Sequence, residues 1–333
     1  MQYSLFKTFS SNLGDEIQNL AAAQYLPRVD YYVDRERMFL AADHPPSFFI
    51  ANGWYLHDPR NFPPPPNLHP FYLSVHLADS WIFSPEAVMH FKRHEPIGCR
   101  DLHTLELFRQ QGVVAYFSGC LTWTLKCEQE SRGENVYLVD LPRQFLKLIP
   151  QALREHAIQL THLSNSGFRK EYRSRGALRK WSETATQVTT ELQRRYRALF
   201  CGAEYLSDDE LSAGRVVAAQ ELLQRYSRAK LVITTRIHSY FPCLAFGTPS
   251  VLLRPGKVFD PSRYEIGEKF FQAYSLGEMD RINWDAPVPD ISPPARFLEL
   301  LCKKAVELRD NPLKHRSIDE FYKESGWAGS GIV

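Results

Sequence analysis

An arginine and a histidine two residues apart follow a short apolar run in the second half of the chain. Residues 231–234 (LVIT) have the β-branched composition of a buried parallel strand, and Arg236 and His238 come almost directly after it. Residues 239–246 are mostly apolar and stop at Gly247, which predicts a short helix with a glycine end. A fixed cation and an imidazole at a helix start suit an anion, such as a phosphate or a carboxylate, and the transfer of a proton.

Both residues also have plainer interpretations, which the local sequence leaves open. Arg236 would pair with an acidic side chain on a neighbouring loop, and His238 would be a hydrogen-bonded histidine of the core. Their position raises the expectation of a ligand site, because loops at the carboxyl ends of parallel strands line the binding crevice of such sheets.

Three polar residues stand at comparable positions in the first half of the chain. Asn12 and Asp15 follow a predicted strand, residues 3–9, and open a segment with apolar residues at helical spacing. Arg100 ends another predicted strand and precedes Asp101, which is a predicted helix cap. Arg100 is therefore a second candidate anion ligand, whereas helix capping alone would explain Asn12 and Asp15.

Further candidates come from two loops. Asn52 and Trp54 follow the apolar run 48–51, and aromatic and polar groups at strand ends form platforms on which sugar rings stack. The edge of an ordinary aromatic core explains them equally well. Lys257 lies in the loop after the predicted strand 250–253, from which its side chain could also reach a ligand.

Strands and helices alternate in both halves, which predicts an α/β protein with two Rossmann-like domains facing a central cleft. We expect an N-terminal domain at residues 1–152 and a C-terminal domain at residues 153–333 that includes a C-terminal helix. Residues 136–139 are the predicted last strand of the first domain, and residues 158–163 are the predicted first strand of the second. The first loop is not G-x-G-x-x-G, so the dinucleotide fingerprint is absent.

Composition excludes several classes of function. A length of 333 residues favours two domains, and a net charge of +2 is too small to indicate nucleic acid as a partner. Apolar runs fall short of the roughly eighteen residues that span a bilayer, and the first residues lack the features of a signal peptide. Six cysteines without a C-x-x-C pair predict reduced thiols in a cytoplasmic protein and no zinc site.

Three motifs lie in order along the chain: residues 12–15 (NLGD), residues 97–101 (IGCRD) and residues 232–238 (VITTRIH). Together they resemble the polysaccharide pyruvyl transferase family. Residues 52–55 (NGWY) and 116–122 (YFSGCLT) resemble one subgroup of that family. Ser239 departs from the pattern, because the family usually has glycine after the histidine.

The resemblance implies a fold like that of the GT-B glycosyltransferases. It also implies transfer of pyruvate from phosphoenolpyruvate onto two hydroxyls of one sugar, in a glycan or a sugar precursor, to give a ketal. Phosphoenolpyruvate is then a co-substrate, and neither a metal nor a redox cofactor is expected. A lipid-linked acceptor would add a peripheral contact with a membrane.

The resemblance also implies a role for each candidate residue. His238 would exchange the proton, which suits a group that titrates near neutrality, and Asp15 would act as the base. The predicted donor-binding residues are Arg236, Arg100, Ser239 and Lys257. The predicted acceptor-binding residues are Asn12, Asn52 and Trp54.

Two other functions remain open at this stage. One is a GT-B glycosyltransferase that uses a nucleotide sugar, which would usually show paired carboxylates near the donor. Glu265 and Glu268 have the wrong spacing for that pattern. The other is a non-catalytic relative that only binds a glycan.

Overall fold

The computed structural model describes residues 1–8, 12–56, 58–127, 131–162, 208–256, 264, 271–285, 288–309 and 316–327. Within these ranges, eleven strands form two sheets, and all the paired strands run parallel. Helices connect many of the strands, so the predicted α/β class is confirmed. The part of the chain that the structure describes contains no helix long and apolar enough to cross a membrane.

The first sheet has six strands in the order β2-β1-β3-β4-β5-β6. Strand β2 lies on one side of β1 and β3 on the other, so the chain changes direction across the sheet between β1 and β3. The crevice at such a switch point is where open α/β sheets bind ligands. The strands are β1 (Gln2–Lys7), β2 (Tyr31–Asp34), β3 (Ser47–Trp54), β4 (Leu68–His76), β5 (Ile97–Cys99) and β6 (Ala115–Phe117).

The second sheet has five strands in the order β11-β10-β9-β7-β8, with a switch point between β7 and β9. They are β7 (Val136–Val139), β8 (Ile158–Leu160), β9 (Leu231–Thr234), β10 (Ser250–Leu253) and β11 (Ala273–Tyr274). The assignment of residues 136–139 to the first half is wrong, because β7 pairs with β8 and β9. The apolar pattern of β7 predicts a buried strand. Which sheet the strand joins depends on its pairing with strands far away in sequence. The domain boundary at residue 152 stays a prediction.

Nine α-helices lie in the described ranges: α1 (Gly14–Ala23), α2 (Pro85–Arg93), α3 (Leu102–Gln110), α4 (Arg143–Leu146), α5 (Gln151–Arg154), α6 (Asp208–Ser227), α7 (Ile237–Ala245), α8 (Ser292–Leu308) and α9 (Ile318–Ser325). Short 3₁₀ helices span Met38–Ala41, Pro59–Asn61, Ser80–Ile82, Leu121–Thr124 and Leu276–Arg281. Side chains cap several helices as their sequences predict: Asp101 accepts the Thr104 N–H at 2.8 Å to start α3.

Apolar packing joins the two sheets. One cluster of buried side chains extends from the first sheet through α1 and α7 to Val232 of β9. Leu231 and Ile233 alternate with Val232 and belong to a second cluster on the other face of the second sheet. The C-terminal helices return to the first sheet, where the Tyr322 hydroxyl donates to the carbonyl of Phe117 at 2.6 Å. This shared core fixes the carboxyl ends of β1 and β9 relative to each other.

Candidate functional site

Arg236 forms an ion pair at the switch point of the second sheet. It caps α7, and its Nε donates to Asp140 Oδ2 at 2.8 Å. Asp140 directly follows β7, where its backbone has a φ of 51°, and its carbonyl accepts a bond from the Thr235 hydroxyl at 3.0 Å. The structure thus contains the pairing with a neighbouring acid that the sequence left open. The Arg236 side chain remains 27% exposed, and its role with a donor stays a prediction.

His238 lies on the first turn of α7 and faces the start of α1 from the opposite sheet. A Cβ atom built on Gly14 would lie 2.9 Å from His238 Nδ1 and 3.1 Å from Asn12 Oδ1. The Asn12 side chain also accepts the Gly14 N–H at 3.1 Å. Glycine is therefore required at position 14 because the imidazole of His238 lies so close to its backbone that any side chain there would displace it. His238 itself is 4% exposed.

Asp15 follows in the same turn of α1 and faces a buried arginine. Arg35 Nη1 lies 3.6 Å from Asp15 Oδ1, and the residues are 4% and 8% exposed, respectively. Gln18 Nε2 contacts the same carboxylate oxygen at 3.4 Å and the Gly14 carbonyl at 3.2 Å. Asp15 is held at the switch point of the first sheet by a cation that the sequence analysis missed.

Asn52 and Trp54 lie at the end of β3, beside Gln18. The Asn52 amide donates to the Gln18 carbonyl at 3.0 Å, so it holds α1 against the sheet. Gly53 has a φ of 89°, and a Cβ atom there would lie 2.9 Å from Gln18 Oε1. The Trp54 ring packs edge-on against the His76 ring, with centroids 5.2 Å apart. The acceptor-binding roles of Asn52 and Trp54 stay predictions.

Arg100 is buried beside a histidine–aspartate pair. Asp101 Oδ2 accepts from His76 Nδ1 at 2.6 Å, and both side chains are fully buried. Burial would raise the pKa of Asp101, but His76, Arg100 and the Thr104 N–H together lower it below its usual value. Arg100 Nε lies 3.8 Å from Asp101 Oδ2, beyond hydrogen-bond distance. In the described part of the chain, neither Nε nor Nη2 of Arg100 has a hydrogen-bond partner, although Arg100 is only 2% exposed.

Ser239 is fully buried, and its hydroxyl bonds to side chains of the protein. Its Oγ lies 2.8 Å from His162 Nε2 and 3.1 Å from the Tyr226 hydroxyl. Burial lowers the pKa of His162 from 6.5 to about 4, against an upward effect of Asp140. The donor-binding role of Ser239 stays a prediction.

The candidates fall into two groups that packing connects. Asn12, Gly14 and His238 meet directly, whereas Arg100 lies in the first sheet with His76. The 3₁₀ helix Leu121–Thr124 packs against both α1 and α7. The Trp123 ring on this helix contacts the Phe241 ring of α7, with centroids 5.6 Å apart. Lys257 lies outside the described residues.

A further ion pair joins α6 to α1 close to Asn12. Arg215 of α6 donates from Nε to Glu16 Oε1 of α1 at 3.0 Å, and both side chains are largely buried. Arg215 Nη2 also approaches the Asn12 carbonyl at 3.4 Å. The sequence left open that Arg236 pairs with an acid but did not identify Asp140, and it did not predict the pair of Arg215 and Glu16. Asp140 directly follows a predicted strand, as Arg236 nearly does. That shared position is the signal that could have identified Asp140.

Comparison with known proteins identifies the family of the chain. No curated protein sequence matches the chain. The family model for polysaccharide pyruvyl transferase matches residues 12–256, a range that begins at Asn12, includes Arg100 and His238 and ends just before Lys257. The chain therefore belongs to the polysaccharide pyruvyl transferase family.

Proposed function

We propose that this protein transfers pyruvate from phosphoenolpyruvate onto two hydroxyls of a sugar in a glycan or its precursor, forming a cyclic ketal. Family membership indicates a transferase of polysaccharide biosynthesis with a glycan acceptor. In this proposal, the two sheets are the cores of two Rossmann-like domains facing a cleft, as in GT-B enzymes. The donor and the ketal product are those that the family resemblance implies, and the side chains of the site fit that chemistry.

The environment of Arg100 carries the proposal. A buried guanidinium is costly unless an anion and hydrogen bonds compensate for its lost hydration. Asp101 is too far from Nε for a hydrogen bond and already accepts bonds from His76 and Thr104. The planar guanidinium matches the oxygens of a carboxylate or phosphate, and phosphoenolpyruvate carries both groups. Arg100 therefore has the charge and the unsatisfied N–H groups that a small anionic substrate such as phosphoenolpyruvate requires.

Arg236 supplies a second cation at the end of β9. Its bond to Asp140 uses Nε, whereas a guanidinium has five N–H donors in total. The partly exposed side chain can donate from its Nη groups to a further oxygen without losing its bond to Asp140. In the proposed complex, Arg100 and Arg236 hold the carboxylate and phosphate and stabilise the departing phosphate.

The proposed reaction uses His238 and Asp15 for proton transfer. His238 protonates the methylene carbon of the enol, and a sugar oxygen attacks the neighbouring carbon as Asp15 accepts the hydroxyl proton. Phosphate then leaves with its bridging oxygen, and the second hydroxyl closes the ring as its proton returns to His238. Asn12 orients the acceptor beside Asp15. One phosphate is released for each ketal formed, with no net change in protons on the protein after Asp15 releases its proton to solvent.

The test is incubation with phosphoenolpyruvate and a panel of sugars, glycans and glycan precursors. The expected result is phosphate release together with an acceptor whose mass increases by one pyruvate ketal. His238→Ala should abolish turnover, and Arg236→Lys should raise the KM for phosphoenolpyruvate because a point charge replaces a planar fork. Near-wild-type turnover of His238→Ala would contradict the proton-transfer role. A shift in melting temperature with nucleotide sugars alone would instead indicate a glycosyltransferase.

A further inference from the structure

His162, just after β8, is the common partner of two other buried polar side chains. Its Nε2 atom lies 2.8 Å from the Tyr226 hydroxyl of α6 and 2.8 Å from Ser239 Oγ on the first turn of α7. The two hydroxyls are themselves 3.1 Å apart, and all three residues are fully buried. A closed triangle of hydrogen bonds away from water holds the start of α7 in one position.

The backbone of His162 holds two more parts of the site. Its N–H donates to Asp140 Oδ2 at 3.0 Å, and that oxygen also accepts from Arg236. Its carbonyl accepts the N–H of Leu13 at 2.8 Å, at the start of α1 in the other half of the site. One residue therefore contacts the predicted anion-binding side and the predicted acceptor side.

The two residues that His162 binds in α7 and before α1 are each adjacent in sequence to the close approach of His238 and Gly14. Ser239 follows His238, and Leu13 precedes Gly14, whose Cβ position lies 2.9 Å from His238 Nδ1. A shift of His162 would therefore change the distance between the imidazole and the first turn of α1. Reactions that need aligned groups are sensitive to such shifts.

We propose that His162 is a positioning residue that fixes His238 relative to Asn12 and Gly14 by joining the starts of α1 and α7. The predicted effect of His162 on turnover rests on the proposed function. The hydrogen-bonded connection between α1 and α7 through His162 does not. Burial lowers the pKa of His162 to about 4, against an upward effect of Asp140 and with a downward effect of Arg236. The imidazole is therefore neutral at pH 7 and can bond to two hydroxyls without introducing a buried charge.

The experiment compares His162→Phe, His162→Gln and Ser239→Ala by hydrogen exchange and by steady-state kinetics. Phenylalanine keeps a ring but removes Nε2, whereas the terminal amide of glutamine replaces that atom. A matched control is His90→Phe, because His90 Nε2 forms a similar buried contact with the Tyr72 hydroxyl at 2.8 Å on the first sheet.

For His162→Phe, we expect exchange about 3- to 10-fold faster in peptides covering residues 12–23 and 237–245, from the loss of a typical hydrogen bond. The kcat should fall by about 10- to 100-fold with a nearly unchanged KM for phosphoenolpyruvate. His162→Gln should recover most of both effects, and His90→Phe should change neither segment.

Wild-type exchange of both segments in His162→Phe would overturn the assignment. If that variant does not fold, Ser239→Ala provides the same test with a smaller change, and wild-type exchange at residues 237–245 would likewise overturn it. Faster exchange with a fully retained kcat would reject the positioning role. If the wild-type protein shows no pyruvyl transfer but the variants exchange faster, the connection stands and the proposed function fails.

Discussion

Replacing Gly14 with alanine probes the close approach between the starts of α1 and α7. Gly14 is the first residue of α1, and a Cβ atom there would lie 2.9 Å from His238 Nδ1. Ordinary contacts of a Cβ atom begin at 3.4 Å, so the imidazole must move by roughly 0.5 Å, the difference between the two distances. The side chain of Asn12, at 3.1 Å, must move as well.

The substitution should affect both catalysis and stability. A misplacement of about 1 Å can reduce turnover about 100-fold, so a shift of half that size predicts a roughly 10-fold lower kcat. For the fold, overpacking costs about 1–3 kcal/mol, and alanine favours the helix over glycine by up to about 1 kcal/mol. The free energy of unfolding should therefore fall by no more than about 3 kcal/mol.

The assay is phosphate release from phosphoenolpyruvate with an acceptor found active in the panel, together with urea unfolding. Gly277→Ala is the matched control, because a Cβ atom at Gly277 has no neighbour within 4 Å. We expect the control to keep its kcat. An unchanged kcat in Gly14→Ala would refute the proposed contribution of this contact, as would an equal loss in Gly277→Ala.

Three further predictions concern buried ionisable groups. Arg215→Met should reduce the free energy of unfolding by about 3–5 kcal/mol, because it leaves the buried Glu16 carboxylate without its cation. Arg100→Met should stabilise the protein by about 1–3 kcal/mol without anions and remove its stabilisation by phosphate, since it deletes buried donors that lack partners in the described structure. His162→Gln should weaken the loss of stability between pH 6.5 and about pH 4, where the unfolded histidine binds a proton that the folded one does not. At about 1.4 kcal/mol per pH unit, the interval of about 2.5 units corresponds to roughly 3.5 kcal/mol.

Urea unfolding measures all three effects, and Lys230→Met is the control for Arg215→Met. Lys230→Met breaks an exposed ion pair of similar length, 2.9 Å, and should cost at most about 1 kcal/mol. A similar loss for Arg215→Met and Lys230→Met would contradict the buried-pair argument. A large destabilisation of Arg100→Met in anion-free buffer would show that its guanidinium is already satisfied. An equal pH dependence of the free energy of unfolding in wild type and His162→Gln would show that groups other than His162 take up the protons on unfolding.

Much of the local architecture could be predicted from the sequence. The β-branched run at residues 231–234 forms β9, and the glycine stop after the next apolar segment ends α7 with a φ of 64° at Gly247. Asp101 caps α3 as its position predicted. These features depend on neighbours a few residues away, which is why periodicity and capping rules find them.

The order of strands could not be predicted in the same way. The sequence places residues 136–139 in the first half, so it does not identify Asp140 as the acidic partner of Arg236. Arg35 faces Asp15 because β2 lies beside β1, which no local pattern specifies. His76 is not among the predicted site residues, and its bond to Asp101 shows that a helix-capping side chain can also hold a second partner. In each case, the missing information is a contact between residues far apart in sequence.

The arginines show why this information decides the functional interpretation. Arg35, Arg215 and Arg236 each lie next to a carboxylate, so ion pairing within the fold accounts for their charges. Arg100 is also close to a carboxylate, but Asp101 Oδ2 bonds to His76 and lies 3.8 Å from Arg100 Nε. Two guanidinium nitrogens of Arg100 therefore stay unsatisfied among the described residues, away from water. Arg100 and Arg236 are the same residue type and both follow a strand. Arg100 is the stronger candidate for binding an anion because two of its guanidinium nitrogens lack hydrogen-bond partners in the described structure.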